Sequence, residues 1–366
     1  MRRSLRPTVA AAVTLGLLVT TACSSASSTA PASAAAPAAP ASAAAPASAA
    51  APASAAAPAS AAPASAAAAA ASAAPKQITV GFVPGIASDP FFLSMELAAQ
   101  EEAQKLNIRL IWEGSSTAYS PQAELPFVES MLALKPDALV LVPTDPNALT
   151  AMVQQFVAQK IPVINVDTTI NDPSLITAFI TGDNVGGGKL AADTLAQQIG
   201  GKGQVYIQSS SPTVTTDAAR AKGFTEEIAK YPNIQLVGPT QYSYSQPSAA
   251  TSAIDTILLK YPHLAGIFAI DGTSGTGAVA ALQNKNLVGK VKLVGYDAYP
   301  AEVSYLKQGV FSALIAQNPA EEATLALQDA VAAVQGKNDF QKDVIIPNVA
   351  MTQANLSTTE QYTYKQ

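Results

Sequence analysis

The feature that most constrains this chain is an alternation of short apolar runs with segments of helical spacing, which begins at Gln77 and continues almost to the end. The runs ITVGFV (78–83), IRLIW (108–112), ALVLV (138–142), IPVINV (161–166) and ITAFIT (176–181) carry little polar alternation, so they read as strands buried on both faces. Between them, FFLSMELAAQEEAQKLN (91–107), PQAELPFVESMLALK (121–135) and NALTAMVQQFVAQK (147–160) space their apolar residues as helices do. Such a βαβα order predicts an α/β fold with a parallel sheet covered by helices on both faces.

The order then restarts. DNVGGGKLAADTLAQQIG opens a helix, and the strands QVYIQ, IQLVG, AGIFAI, VKLVGYD and FSALIAQ follow, separated by the helices 216–231, 247–261 and 274–285 and followed by the helix 319–336. Two serial halves spanning about 290 residues exceed one comfortable core, so two doubly wound lobes are expected.

The first 75 residues have a different character. MRRSLRP followed by TVAAAVTLGLLVT has the basic start and short apolar run of a secretory signal, predicted over 1–22. Cys23, the only cysteine, follows directly in LVTTAC; the arrangement resembles a bacterial lipobox, with Thr20 standing where Leu or Val is usual, and lipidation of Cys23 is the expectation. A lone cysteine rules out an intrachain disulfide and a Cys-based metal site. Residues 23–75 repeat APASAA with neither charge nor aromatic, a composition that cannot bury enough surface to fold. In a polyproline conformation such a spacer reaches on the order of 150 Å. The net charge of −5 and the lack of a basic cluster beyond the leader argue against nucleic-acid binding.

In open parallel sheets, ligands bind beyond the carboxyl ends of the strands. Position alone collects Asp89, Phe91 and Phe92 after the first strand, Asp145 after the third, and Asp167 and Thr168 after the fourth. The second half supplies Arg220 near a helix start, Asp271 after GIFAI, Asp297 after LVGY and Gln317 after SALIA. Carboxylates, an amide and a guanidinium beside aromatic rings match a polyhydroxylated ligand, because they bridge vicinal hydroxyls while the rings cover C–H faces. Phe91 and Phe92 serve equally well as staples that hold the first helix on its sheet. Trp112 has two readings, in the cleft or between sheet and helix, and Asp145 reads first as a helix cap. Gly186–Gly188 lacks the spacing of a phosphate loop, and GDN before it reads as a helix cap.

GFVPGIASDPFFLSM, LVPTDPNAL, IPVINVDT, TGDNVGGGKLAA, DAARAKGF, GIFAIDGTSGTGAVAAL, LVGYDAYP and ALIAQNP, in this order, resemble the ribose- and galactose-type periplasmic binding proteins. The resemblance implies two lobes joined by three crossovers, a type I periplasmic binding fold. Lobe one is drawn over 76–182 plus 318–346, and lobe two over 183–317 plus 347–366. It implies capture of a small sugar or polyol by lobe closure and delivery to an ABC transporter permease, with no cofactor, no metal and a monomeric chain. Its site residues would be Asp89, Phe91, Phe92 and Asp167, with Thr168 beside them, from lobe one, and Arg220, Asp271 and Asp297 from lobe two, with Gln317 near the hinge. The aromatic usually contributed from TQYSYSQ is assigned to Tyr244, with Tyr242 as the neighbouring choice.

Three departures stand out: Asp167-Thr168 where Asp-Arg is common, Val142 where Asn is common, and Asp271 in place of Asn. They leave lobe one without the guanidinium and amide that would grip a standard pyranose, and a smaller or linear polyol, a branched or deoxy sugar, or a ligand with an apolar edge fits as well. Two other classes compete. Asp89 and Asp167 could act as paired carboxylates on a glycoside, although no Ser–His or Cys–His pair, metal cluster or cofactor fingerprint accompanies them. A ligand-sensing lipoprotein that signals to a membrane receptor would use the same closing lobes.

Overall fold

The computed structural model describes residues 76–366. The leader, Cys23 and the Ala/Pro/Ser spacer expected over 1–75 lie outside the described residues. Among the described residues, no helix is long and apolar enough to cross a membrane.

Lobe one begins with β1 (Thr79–Val83), α1 (Pro90–Lys105), β2 (Arg109–Trp112), α2 (Pro121–Leu134), β3 (Ala138–Leu141), α3 (Thr150–Ala158), β4 (Val163–Val166) and β5 (Ala178–Gly182). Lobe two follows with α4 (Asn184–Gln198), β6 (Gly203–Ser209), α5 (Thr215–Ile228), β7 (Ile234–Tyr242), α6 (Pro247–Lys260) and β8 (Leu264–Ala269). It continues through α7 (Gly272–Asn284), β9 (Lys292–Tyr296), α8 (Pro300–Lys307) and β10 (Ala313–Ala316). The chain then returns to the first lobe with α9 (Pro319–Val334) and β11 (Asp343–Ile346), and ends with β12 (Val349–Met351) and α10 (Leu356–Thr359).

One sheet has the order β2-β1-β3-β4-β5-β11, the other β7-β6-β8-β9-β10-β12. All pairings are parallel except β10 with β12. Both sheets therefore reverse direction at the same place, between β1 and β3 and between β6 and β8, where an open α/β sheet leaves a crevice at its strand ends. Side chains alternate between two buried faces, as the apolar runs predict: Val80 and Phe82 pack with α1 and α9, whereas Val83, Leu139 and Leu141 pack with α2 and α3. In the second lobe, Val205 and Ile207 face α4 and α5 while Tyr206 joins the opposite layer.

Several elements were not legible in the periodicity, among them α8, β11, β12 and the four-residue α10. The helix α8 spans only eight residues, and at its start the Glu302 carboxylate accepts from the Tyr299 amide at 3.2 Å. The strands β11 and β12 are short edge strands, of four and three residues, that acquire strand geometry only from the neighbours they pair with. In the other direction, β7 runs past the expected IQLVG as far as Tyr242.

The glycine run at 186–188 has a packing explanation. Asp183 caps α4 by accepting from the Gly186 amide at 2.8 Å. At Gly188 an added Cβ would sit 2.1 Å from the Arg220 carbonyl oxygen, and at Gly223 one would sit 2.0 Å from the Val185 carbonyl oxygen. The α4 and α5 backbones thus approach as closely as two helices lacking side chains at the contact can. Backbone cannot move aside as a side-chain tip can, so Gly188→Ala should destabilise the fold by about 1–3 kcal/mol. The measurement is the urea midpoint, which should fall at an unchanged slope; a wild-type midpoint would show that the helices separate freely.

Candidate functional site

The carboxyl ends of both sheets face one cavity of about 100 Å³, lined from both lobes. Asp89 sits at its edge, at the N-cap of α1. One carboxylate oxygen accepts from the Phe91 amide at 2.8 Å, and the other accepts from the Tyr299 hydroxyl at 2.5 Å. Tyr299 follows β9, so this bond joins the two lobes across the cavity mouth. Pro90 at the first helical position leaves no wasted donor and turns the next two residues inward.

Phe91 and Phe92 satisfy both readings at once. Each is about 95% buried and belongs to the main core cluster, and each also lines the cavity. Their rings meet edge to face at 5.1 Å, Phe92 stacks on Tyr119 at 6.4 Å, and Phe91 meets Tyr364 at 5.7 Å. An aromatic wall built this way keeps its shape when a C–H surface packs on it.

Arg220 lies opposite, buried on α5. It donates to Asn184 Oδ1 at 2.8 Å, to the Ile270 carbonyl at 3.2 Å and to Gln317 Oε1 at 2.9 Å, and it stacks 3.9 Å over the Tyr296 ring. It makes no ion pair within its own helix: Glu226 is taken by Lys189 and Lys222, and Asp217 accepts from Ser209 and from the amides of Ser210 and Ser211. Gln317 in turn donates to Asp297 at 2.6 Å, Tyr364 donates to the same oxygen at 2.9 Å, and the Gly272 amide donates to the other at 2.9 Å. Asp167, at the end of β4, lines the cavity with no hydrogen bond to its carboxylate among the described residues. Asp167 and Asp297 both adopt left-handed backbone, with φ of 61° and 82°, at corresponding strand ends of the two lobes. That conformation is costly for a residue with a side chain, and it aims both carboxylates at the crevice.

Burial dominates the electrostatics. It pushes the carboxyl groups of Asp89, Asp167 and Asp217 up to about 7 and raises that of Asp297. Burial pulls Arg220 down, but Tyr296 and the carboxylates of Asp297, Asp167 and Asp217 outweigh it, so the guanidinium stays charged.

Not every expected residue reaches the cavity as proposed. Thr168 is buried, but its hydroxyl donates to the Pro143 carbonyl at 2.7 Å, which braces the β4 turn. Asp271 lines the cavity, yet both of its oxygens accept from Thr273 and Ser274 at the start of α7, making it chiefly a cap. Tyr244 is a correction: it is 66% exposed and does not line the cavity, because the long β7 carries it past the sheet edge, and Ser245 takes that place. Trp112 packs 4.3 Å from Phe82 within the core, and Asp145 caps the amides of Asn147 and Ala148. Sequence reasoning missed Tyr119, Asp217 and Tyr299 as lining residues. Tyr299 stands two residues beyond Asp297, a proximity that could have flagged it, whereas Tyr119 lies in a loop without periodicity.

Residues 80–338 match the family described as the periplasmic binding protein domain. This chain belongs to that family. Among curated proteins it is 27% identical to the xylitol-binding protein of Mycolicibacterium smegmatis, over 69% of this chain and 71% of that one. It is also 27% identical to the ribose import binding protein of Bacillus subtilis, over 76% of this chain and 88% of that one. A solved ABC transporter solute-binding protein from Agrobacterium vitis, bound with α-D-tagatopyranose, superimposes with a TM-score of 0.77 at 29% identity, covering 79% of this chain and all of the other. A second, from Actinobacillus succinogenes with bound D-allose, gives a TM-score of 0.72 at 28% identity, covering 77% of this chain and all of the other. These are solute-binding proteins, and this periplasmic binding protein shares their two-lobed architecture.

The raised carboxyl groups make a pH prediction for this binding protein. In the unfolded chain these acids lose their protons near pH 4, whereas in the folded chain Asp89, Asp167 and Asp217 hold theirs to about 7. The folded state then binds more protons between those limits, so their contribution to stability falls as pH rises from about 4 to about 7. The melting temperature measured without added solute should be higher at about pH 5.5 than at about pH 7.5, and Asp167→Asn should flatten the difference. A melting temperature that rises over this interval would contradict the assignment.

Proposed function

We propose that the chain is an extracytoplasmic solute-binding protein that captures a small sugar or polyol by closing its lobes and delivers it to an ABC importer. One observation carries this reading: aromatic faces and carboxylates from both lobes surround a single cavity, and the Asp89–Tyr299 hydrogen bond spans the lobes at its mouth. The relatives named for xylitol and ribose support the solute class, as do the sugar-bound solved structures. The rings of Phe91 and Phe92 cover the C–H surface of the solute. Asp89, Asp167 and Asp217 accept from its hydroxyls, and Arg220 supplies the donors it does not spend on Asn184, Ile270 and Gln317.

Closure turns on the three crossovers, at Gly182–Asp183, Gln317–Asn318 and Pro347–Asn348, and binding solute to the closed form shifts the population toward it. The proposed lobes divide the chain into 76–182 plus 318–346 and 183–317 plus 347–366. Residues 1–22 direct export, Cys23 carries the lipid anchor, and the spacer sets the domain away from the membrane. The chain acts as a monomer and returns its ligand chemically unchanged.

A thermal-shift screen of the full-length chain against pentoses, hexoses, linear polyols and inositols tests this. One stereochemical family should raise the melting temperature by several degrees, since ligand at a hundred times its dissociation constant adds about 2.7 kcal/mol. Asp89→Ala should weaken that ligand at least about tenfold by removing the acceptor at the mouth. Mass spectrometry of the recovered ligand should find it unaltered. A silent panel, or a converted ligand, would overturn the proposal.

A further inference from the structure

The cavity holds an imbalance of charge. Asp89, Asp167, Asp217, Asp271 and Asp297 all line it, against the single guanidinium of Arg220. Four of the five carry hydrogen bonds from within the protein. Asp271 uses both oxygens on the first turn of α7, Asp297 accepts at both oxygens from Gln317, Tyr364 and Gly272, and Asp217 accepts from Ser209, Ser210 and Ser211 at one oxygen, Oδ2. Asp89 is held by Phe91 and Tyr299. Asp167 differs from all of these: it is only 7% exposed, it lines the cavity, and no described residue hydrogen-bonds its carboxylate.

A buried carboxylate without a partner is a strong acceptor waiting for a donor. The charged groups that act on Asp167 are Arg220 in its favour, and Asp297, Asp217 and Asp89 against it, while Glu322 on α9 feels its field from behind. Arg220 is fixed by three neutral acceptors and makes no direct ion pair among the described residues, so it does not swing across to neutralise Asp167. A metal ion is a poor remedy. Among the described residues no three His, Cys, Asp or Glu side chains converge closely enough to hold one. The positive charge that suits this cavity is therefore spread on a larger organic solute.

We infer that the solute is a polyhydroxylated molecule carrying one protonated amine, an amino-polyol or amino sugar, with its ammonium seated against Asp167. The inference rests on the sugar-or-polyol reading of the same site and narrows it. An ammonium offers three donors and no acceptor, which suits an acceptor-rich wall. Hydroxyls elsewhere on the molecule meet the remaining donors of Arg220, and the carbon skeleton lies on Phe91 and Phe92.

The two solute types couple to protons to different extents. An ammonium keeps Asp167 ionised, so its binding releases a proton wherever that carboxyl is partly protonated and strengthens as pH rises from about 6 to about 7.5. A neutral polyol brings no positive charge to offset the crowded carboxylates, so its affinity gains less over the same interval.

Titration calorimetry of the full-length chain with matched pairs tests this: sorbitol and glucamine, xylitol and 1-amino-1-deoxyxylitol, galactose and galactosamine, each at pH 6 and pH 7.5. In the pair that fits, the amine should bind at least about tenfold tighter at pH 7.5, with proton release seen as a buffer-dependent heat, and the advantage should shrink at pH 6. Asp167→Asn should bring the ratio of the two affinities toward one. Tight binding of hydroxyl members with no gain from the amine would overturn the inference and leave the sugar-or-polyol reading standing. Failure of both members of every pair would overturn both. An unchanged ratio in Asp167→Asn would overturn the seat assigned to the ammonium.

Discussion

The placement of Arg220 is the interaction on which both the hinge and the site depend. Its Nε reaches Asn184, the first residue after the first crossover, and its Nη2 reaches Gln317, which follows β10 at the second. Its plane rests on Tyr296, whose hydroxyl accepts from Asn348 at the third crossover at 2.7 Å, while the same amide donates to the Asp183 carbonyl at 2.8 Å. One buried guanidinium thus connects all three places where the chain passes between lobes. A residue committed in this way is expensive to remove, because its acceptors would be left unpaired in a dry interior. Arg220 therefore cannot be treated as a ligand contact whose loss spares the fold, even though it faces the cavity.

The two strained aspartates show the same economy. Asp167 and Asp297 occupy matching strand ends, and each adopts a backbone conformation that costs on the order of 1–3 kcal/mol for a non-glycine residue. The surrounding chain enforces the turns: the Asp167 amide donates to Ile180 and that of Asp297 to Ile315, extending each sheet by one bond past the strand. Thr181 donates to the Asp167 carbonyl and Thr168 to that of Pro143, so the turn after β4 is braced from both sides. What these bonds secure is the direction of a carboxylate. The fold spends backbone strain where a side chain must point into the crevice, and the two lobes do so at equivalent positions.

Much of this was legible in the sequence, for a definite reason. Strand ends are fixed by apolar runs, and a parallel sheet puts its ligand site at those ends, so Asp89, Asp167, Asp297 and Gln317 could be placed by counting. Phe91 and Phe92 could not be resolved between core and cavity because they belong to both, wedged between α1, Tyr119 and Tyr364. Tyr299 and Tyr119 come from loops, where no period constrains direction, and Tyr364 reaches Asp297 from near the chain end across 67 residues of sequence. Tyr244 failed for a related reason: the length of an edge strand depends on its neighbour β6, so the register past Gly238 could not be read from its own residues. Local pattern reports on elements that fold on themselves; it is silent where a distant partner decides.

The acidic cavity also bears on why closure should be conditional. Asp89, Asp167 and Asp217 are held out of water between the lobes, and burial raises their carboxyl groups to about 7, so keeping them ionised there is unfavourable. The Asp89–Tyr299 bond opposes it with one short hydrogen bond, which offsets only part of the cost of several crowded carboxylates. A solute that donates to those oxygens removes the penalty in the closed state and gains nothing comparable in an open one, where water already serves. The same carboxylates that are unfavourable to bury without a donor form an acceptor-rich wall, so the cost of burial and the capacity to accept hydrogen bonds follow from one arrangement of charge.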